Sequence, residues 1–252
     1  MSGRGPEHAG RVAVITGATG GIGKAIAKRL QAEGARVIVL DTANWPPGEV
    51  AAARSASPPI TFHESDVSDE GAVDAAFDAI TAHEGAVDYL VCCAGIFPAR
   101  PFLQLTPEDW ARTLAVNLTG SFLCCRAALR SMRPRAFGRI VLFASMLARG
   151  GGVNCASYAA SKGGVLGLAR SLALEVASEN IRVNTVTPGI TDTAMPRGHI
   201  SEEKLSATGA SNPLGRIGRI EDMVEACLFL LGEESSYMTG QDLRVNGGGA
   251  LW

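Results

Sequence analysis

The stretch "RVAVITGATGGIGKAIAKRL" (11–30) passes from an apolar β-type run, through a glycine turn, into an amphipathic segment of helix length. Gly17, Gly21 and Gly23 stand where that helix opens, and a backbone without Cβ atoms there can approach a pyrophosphate lying on the helix N-terminus. A glycine turn by itself does not choose among nucleotides. The GxGxxG pattern is absent. The P-loop pattern GxxxxGK[ST] fails as well, because Gly17 to Gly23 is one residue too long and Ala25 replaces the hydroxyl residue. Nucleoside triphosphate hydrolysis is disfavoured.

The next apolar run, "ARVIVLD" (35–41), ends in Asp41, 18 residues beyond Gly23. A carboxylate at that place binds both ribose hydroxyls of NAD and repels the 2′-phosphate of NADP. Thr42 follows, with no arginine beside it to neutralise a phosphate. Turn and acid together point to NAD (NADH) as cofactor.

Outward from this unit, "DYLVCCAG" (88–95), "GRIVLFAS" (138–145) and "IRVNTVTPG" (181–189) repeat the short, near-continuous apolar pattern of strands buried on both faces of a parallel sheet. Helix-length amphipathic segments lie between them: 23–34, 70–85 and "TPEDWARTLAVNLTGSFLCCRAALRSM" (106–132). The β–α alternation predicts an α/β fold, one doubly wound, Rossmann-type parallel sheet with helices on both faces. The Pro-, Ala- and Ser-rich 44–59 reads as a loop carrying one weak helix. No linker or internal repeat divides the chain. We expect a flexible N-terminal tail over 1–10 and a single domain over 11–252.

Of the 252 residues, 46% are hydrophobic and 19% charged, which suits one soluble domain with a sizeable core. The formal net charge is −2 and the basic residues are scattered, so neither nucleic acid nor an anionic membrane is called for. The longest run without a charge, Thr113 to Cys125, has 13 residues, too short to span a bilayer as a helix. "MSGRGPEHAG" has no apolar core of a signal peptide, and a cytoplasmic location is the default expectation. The six cysteines show no CxxC spacing and read as buried reduced thiols; Cys155, three residues before Tyr158, alone has a site-facing reading beside that of packing. The four histidines, at 8, 63, 83 and 199, form no metal spacing, so no metal is expected. No GxSxG turn supports a serine hydrolase.

"YAASK" (158–162) sets a phenol and an ammonium on one face of a helix, a turn apart. A nearby positive charge favours the phenolate and would make Tyr158 a proton donor and acceptor near neutral pH. Taken alone, the pair reads more readily as a surface tyrosine beside a solvated lysine.

The landmarks in their order decide between these readings. "TGATGGIG" (16–23), "DV" (66–67), "CAG" (93–95), Asn117, Ser145, "YAASK", "PGITDT" (188–193) and "TGQDLRVNGG" (239–248) together resemble the short-chain dehydrogenase/reductase family over about Gly10 to Leu251. Ser145 stands 13 residues before Tyr158, the family's usual spacing. One departure is "CCAG" (92–95), where the family usually has NNAG, so Cys93 in place of asparagine is expected to loosen the sheet locally.

The resemblance implies a catalytic tetrad of Asn117, Ser145, Tyr158 and Lys162. Tyr158, its pKa lowered by Lys162 and the nicotinamide ring, would exchange a proton with the substrate oxygen. Ser145 would hydrogen-bond that oxygen, Lys162 would also hold the nicotinamide ribose, and Asn117 would hold a water leading from Lys162 to solvent. For the cofactor it implies Gly17, Thr19, Gly21, Ile22 and Gly23 in the turn, Asp41 at the ribose, and Asp66 and Val67 near the adenine. Ala94 and Gly95 lie beneath it; Pro188, Gly189, Ile190, Thr191 and Thr193 lie on the nicotinamide side, with Tyr158 and Lys162.

The segment 192–218 suits a substrate lid. Pocket candidates Ile96, Phe97, Met146, Leu147, Asn154 and Met195 are mostly apolar, without an arginine clamp, and favour a small neutral or partly hydrophobic ketone or secondary alcohol. We expect an NAD-dependent oxidoreductase interconverting the two. The alternatives are an NADPH-dependent 3-oxoacyl-[acyl-carrier-protein] reductase, against which Asp41 argues, and a non-catalytic NAD sensor, which has no need of the phenol. The apolar surface of 106–132 and 156–178, with Gly163, Gly164 and Gly167 permitting close helix approach, predicts a homotetramer as in the family.

Overall fold

The computed structural model describes residues 8–251. Seven parallel strands, β1 (Val12–Thr16), β2 (Arg36–Asp41), β3 (Ile60–Glu64), β4 (Tyr89–Cys92), β5 (Gly138–Phe143), β6 (Ile181–Pro188) and β7 (Asp242–Val245), form one sheet in the order β3-β2-β1-β4-β5-β6-β7. Thr16, at the end of β1, stands in register with Leu40 on one side and Cys92 on the other. The chain leaves β1 in one direction for β2 and returns on the other side as β4. The crevice above that switch point is where open α/β sheets take ligands.

The helices are α1 (Gly21–Ala32), α2 (Pro47–Ser55), α3 (Glu70–Glu84), α4 (Pro107–Leu114), α5 (Gly120–Met132), α6 (Leu147–Gly150), α7 (Ala156–Val176), α8 (Ala194–Arg197), α9 (Glu202–Ser211) and α10 (Ile220–Leu231). Alternation along each strand builds two cores. Val14, Leu90, Ile140 and Leu142 point to α3, α5 and α7, whereas Ile15, Val39, Val91 and Val141 point to α1 and α10. Each such fully buried aliphatic side chain stabilises the fold by about 1.5–3 kcal/mol, so both sheet faces must be apolar. That requirement is why the central strands read as unbroken hydrophobic runs.

Three expectations change. β3 and β7, unmarked by any apolar run, are the sheet's edges; "ITFHE" and "DLRV" carry polar residues because solvent reaches them. The long 106–132 segment is not one helix: a π-helical turn, Ala115–Thr119, separates α4 from α5. The tail is ordered from His8 onward. Its ring is buried edge-on against Tyr89 at 5.5 Å, its Nδ1 lies 3.3 Å from the Tyr89 hydroxyl, and Gly10 N–H donates to Gly34 O. Residues 1–7 lie outside the described part.

The segment 192–218, expected as a lid, is a closed excursion. Gly218 N–H donates to Ile190 O and Asp192 N–H to Gly218 O, both at 2.8 Å, so its two ends are stitched together while α8 and α9 project between them. Among the described residues, no helix is long and apolar enough to cross a membrane.

Candidate active site

A cleft of about 940 Å³ opens over the carboxyl ends of β1, β2, β4, β5 and β6. The glycine turn forms one wall. Gly17 adopts φ +65°, and a Cβ on it would fall 2.5 Å from the Ala94 backbone. A Cβ on Gly23 would fall 2.6 Å from Gly17 O, so glycine at both positions lets turn, helix and β4 close together. Gly20, by contrast, has nothing within 4 Å of its would-be Cβ and faces the open cleft at the N-terminus of α1. That bare, donor-rich cradle fits a pyrophosphate.

Asp41 stands beside the turn. Its Oδ2 accepts from Thr19 N–H at 3.0 Å and Thr19 Oγ1 at 2.8 Å, and its Oδ1 accepts from Thr42 N–H at 2.8 Å. The carboxylate is thus aimed by Thr19, the residue expected to touch the cofactor directly. Trp45 locks the same corner, its buried indole donating to Ala18 O at 2.6 Å. Asp66 caps its own turn through Ser68 N–H and Oγ, and these hydrogen bonds, with Arg112 nearby, hold its carboxyl below the usual range.

The expected cofactor residues all line this one cleft: Gly17, Thr19, Gly21, Ile22, Gly23, Asp41, Asp66, Val67, Ala94 and Gly95, then Pro188, Gly189, Ile190, Thr191 and Thr193. Ser145, Tyr158 and Lys162 line it too. All six pocket candidates, Ile96, Phe97, Met146, Leu147, Asn154 and Met195, are present.

Asn117 is the exception. Fully buried in the π turn, it accepts from Ile96 N–H at 2.8 Å and donates to Ile96 O and Ser161 Oγ, each at 3.0 Å. A π turn inserts one residue into the helical repeat and so re-aims a side chain. Here that aim pins the backbone just past Gly95. Asn117 Oδ1 and Lys162 Nζ lie 3.3 and 3.6 Å from where a Cβ on Gly95 would stand, so Asn117 approaches the site from behind.

Tyr158 and Lys162 share one face of α7, as their spacing requires, but the expected electrostatics differ. Lys162 Nζ donates to Phe143 O at 2.7 Å and lies 5.8 Å from the Tyr158 ring centroid. Burial pushes the phenol's pKa up, opposed by the hydrogen bond with Ser145. Burial also drives Lys162 down to about 8, against a smaller opposing effect of Cys93 and Cys92. Desolvation disfavours whichever form is charged and moves an acid up and an amine down. In the protein itself, therefore, the phenol is held protonated.

Cys155 lines the cleft and does not merely pack, its Sγ donating to Val153 O at 3.0 Å, and Cys93 lines it as well. Burial raises both thiols, Cys93 to about 12, so neither is a thiolate nucleophile at neutral pH. Cys93 keeps its place beside β1 through Cys93 N–H to Thr16 O at 3.2 Å. Sequence reasoning missed Arg112, His199 and Lys204, which also line the cleft. His199 meets Phe97 at 5.1 Å between ring centroids, and Phe97 meets Tyr158 at 4.8 Å. No motif marks the two lid residues. Among the described residues, no group of three or more His, Cys, Asp or Glu side chains is placed to hold a metal.

Known proteins resemble the chain over nearly its whole length. A family model described as Enoyl-(Acyl carrier protein) reductase matches residues 17–249. The chain is 39% identical to cis-4-hydroxycyclohexanecarboxylate dehydrogenase of Sinomonas cyclohexanicum, covering 97% of this chain and 98% of that protein. It is 38% identical to a 3-oxoacyl-[acyl-carrier-protein] reductase of Vibrio cholerae, covering 95% and 97%. Among solved structures, a short-chain dehydrogenase/reductase of Brucella melitensis, described as a glucose/ribitol dehydrogenase, superposes with a TM-score of 0.88 at 33% identity, over 98% of this chain and 99% of that one.

Proposed function

The chain belongs to the short-chain dehydrogenase/reductase family of oxidoreductases, and we propose that within it this protein interconverts a secondary alcohol and a ketone with NAD(H). The observation that carries this reading is the convergence of Ser145, Tyr158 and Lys162 on the same cleft as the glycine cradle and Asp41. When bound, NAD supplies the hydride acceptor for the alcohol carbon, and NADH the donor for the ketone.

The chain's own residues bind, orient and move the proton. The Gly20–Gly21 cradle takes the pyrophosphate, Asp41 the adenosine ribose hydroxyls, and Lys162 the nicotinamide ribose. Ser145 and Tyr158 hold the substrate oxygen between their hydroxyls. On reduction, Tyr158 Oη gives its proton to the carbonyl oxygen, for which a phenol held protonated by burial is already in the right state. On oxidation the same atom takes the alcohol proton. Asn117, clamped on Ile96, keeps the segment beneath the cofactor in place and stands with Lys162 behind Gly95.

Ile96, Phe97, Met146, Leu147 and Met195 suit a small, partly hydrophobic substrate body. The Vibrio relative and the matched family description favour a second reading, reduction of a 3-oxoacyl carrier-protein thioester, against which Asp41 stands on the cofactor side. We further propose a homotetramer. Phe102, Leu103, Trp110 and Phe122, on and beside α4 and α5, are solvent-exposed, Leu103 at 98%. Of the three α7 glycines, Gly164 instead serves this chain's own packing, since a Cβ there would fall 2.6 Å from Leu118.

Tyr158→Phe tests the reaction. It deletes the proton donor and keeps the ring, so turnover of a ketone panel with NADH should vanish while NADH binding, read by fluorescence, stays within about twofold of wild type. Retention of more than about a tenth of wild-type turnover would sink the assignment.

A further inference from the structure

The lining of the cleft divides by charge. Its carboxylates, Asp41 and Asp66, both stand on the side assigned to adenosine, at and beyond the ends of β2 and β3. Around Tyr158 the lining contains no Asp or Glu. The basic groups of the lining are Lys162, Arg112, which stands near Asp66, and His199 and Lys204, both brought in by the 192–218 segment.

The lid has acids of its own, and the fold keeps them away from the cleft. Arg197 takes Asp192 through Nε at 2.6 Å and Glu202 through Nη1, and neither these nor Glu203 lines the cleft. Lys204 does line it and has no ion pair among the described residues. Buried Leu205, the next residue, seats α9 and so sets where Lys204 stands. Toward the reacting centre, His199 lies two ring contacts from the phenol through Phe97. The cleft thus offers the Ser145 and Tyr158 hydroxyls, an apolar lining, the His199 ring near the phenol, and a Lys204 ammonium with no acid of the lining on its own segment.

We propose that Lys204, which lines the cleft from the same segment as His199, is a subsite for an anion carried by the substrate at the end remote from its carbonyl or carbinol. A single ammonium, without an arginine fork, matches a carboxylate monoanion better than a phosphate dianion. The substrate class is therefore an oxo acid or hydroxy acid with a partly apolar spacer. The expectation of a neutral substrate rested on the lack of an arginine clamp among the pocket candidates; the charge comes instead from the lid. This inference rests on the proposed reaction for the identity of the reacting group, and not for the anion site itself.

The test uses 4-oxopentanoate and 5-oxohexanoate against their methyl esters, with NADH, on wild type, Lys204→Gln and Lys204→Glu. The readout is the acid-to-ester ratio of kcat/KM. It should exceed one in wild type and fall with added salt, since an exposed pair is screened. Lys204→Gln should lower it roughly tenfold, as expected for loss of a charged hydrogen bond, and Lys204→Glu should lower it further. A wild-type ratio at or below one, or one that neither variant moves, overturns the subsite. An equal loss for acid and ester together with weakened NADH binding also overturns it, assigning Lys204 to the cofactor. Calorimetric titration of each acid into the protein–NADH complex separates the two proposals. Lys204-dependent binding without turnover retains the subsite and sinks the reaction, whereas absence of binding sinks the subsite.

Discussion

Replacing Lys162 by methionine should inactivate the protein and make it more stable. The ammonium is buried at the floor of the cleft, and desolvation brings it from an ordinary 10.5 down to about 8. A difference of about 2.5, at roughly 1.4 kcal/mol each, means that keeping this side chain charged at pH 7 costs the fold about 3 kcal/mol. Methionine fills similar volume, suits the neighbouring Cys92 and Cys93, and carries no charge. It also forfeits the hydrogen bond to Phe143 O, which returns about 1 kcal/mol. The net expectation is a gain of about 2 kcal/mol at pH 7.

The pH dependence carries a definite sign. Because the folded-state value lies below the unfolded one, the folded protein releases the proton first as pH rises. Wild-type stability therefore climbs between about 8 and 10.5, and the advantage of methionine, complete below about 8, shrinks through that window. Urea unfolding of both proteins at one concentration, at pH 7 and again near pH 10, measures the gap. A wild type more stable than Lys162→Met at pH 7, or a gap that does not narrow by pH 10, would refute the reasoning.

Two further outcomes are expected. Wild type should prefer NAD; Asp41→Ala should weaken NAD by roughly 1.5–3 kcal/mol through loss of charged hydrogen bonds, and adding Thr42→Arg should shift preference toward NADP by offering a guanidinium to its phosphate. The ratio of kcat/KM for the two cofactors across the series reads this, and a flat ratio or a wild type that prefers NADP defeats the NAD assignment. Sedimentation at micromolar concentration should find a tetramer, and Leu103→Asp with Phe122→Asp should dissociate it to a smaller species; a monomeric wild type contradicts the proposal.

What the sequence determined by itself was local or ordered. Central strands had to be apolar on both faces, so β1, β2, β4, β5 and β6 were legible, whereas β3 and β7, wet along an edge, carried no such pattern. The glycine turn, the acid at the end of β2 and the order Ser145, Tyr158, Lys162 identified the cleft because backbone approach and helical spacing are short-range requirements. Tertiary structure decided whatever depends on neighbours distant in the chain. Asn117 meets Ile96 only because a π turn redirects it, and His8 is ordered only because Tyr89 and Glu33 lie beside it. The sign of the shift at Tyr158 came from burial, a property summed over the whole surroundings. The charge facing the substrate likewise became visible only when the lid folded Lys204 into the cleft while Arg197 held the lid's acids aside, since a charge acts over space and its place along the chain does not say what it faces.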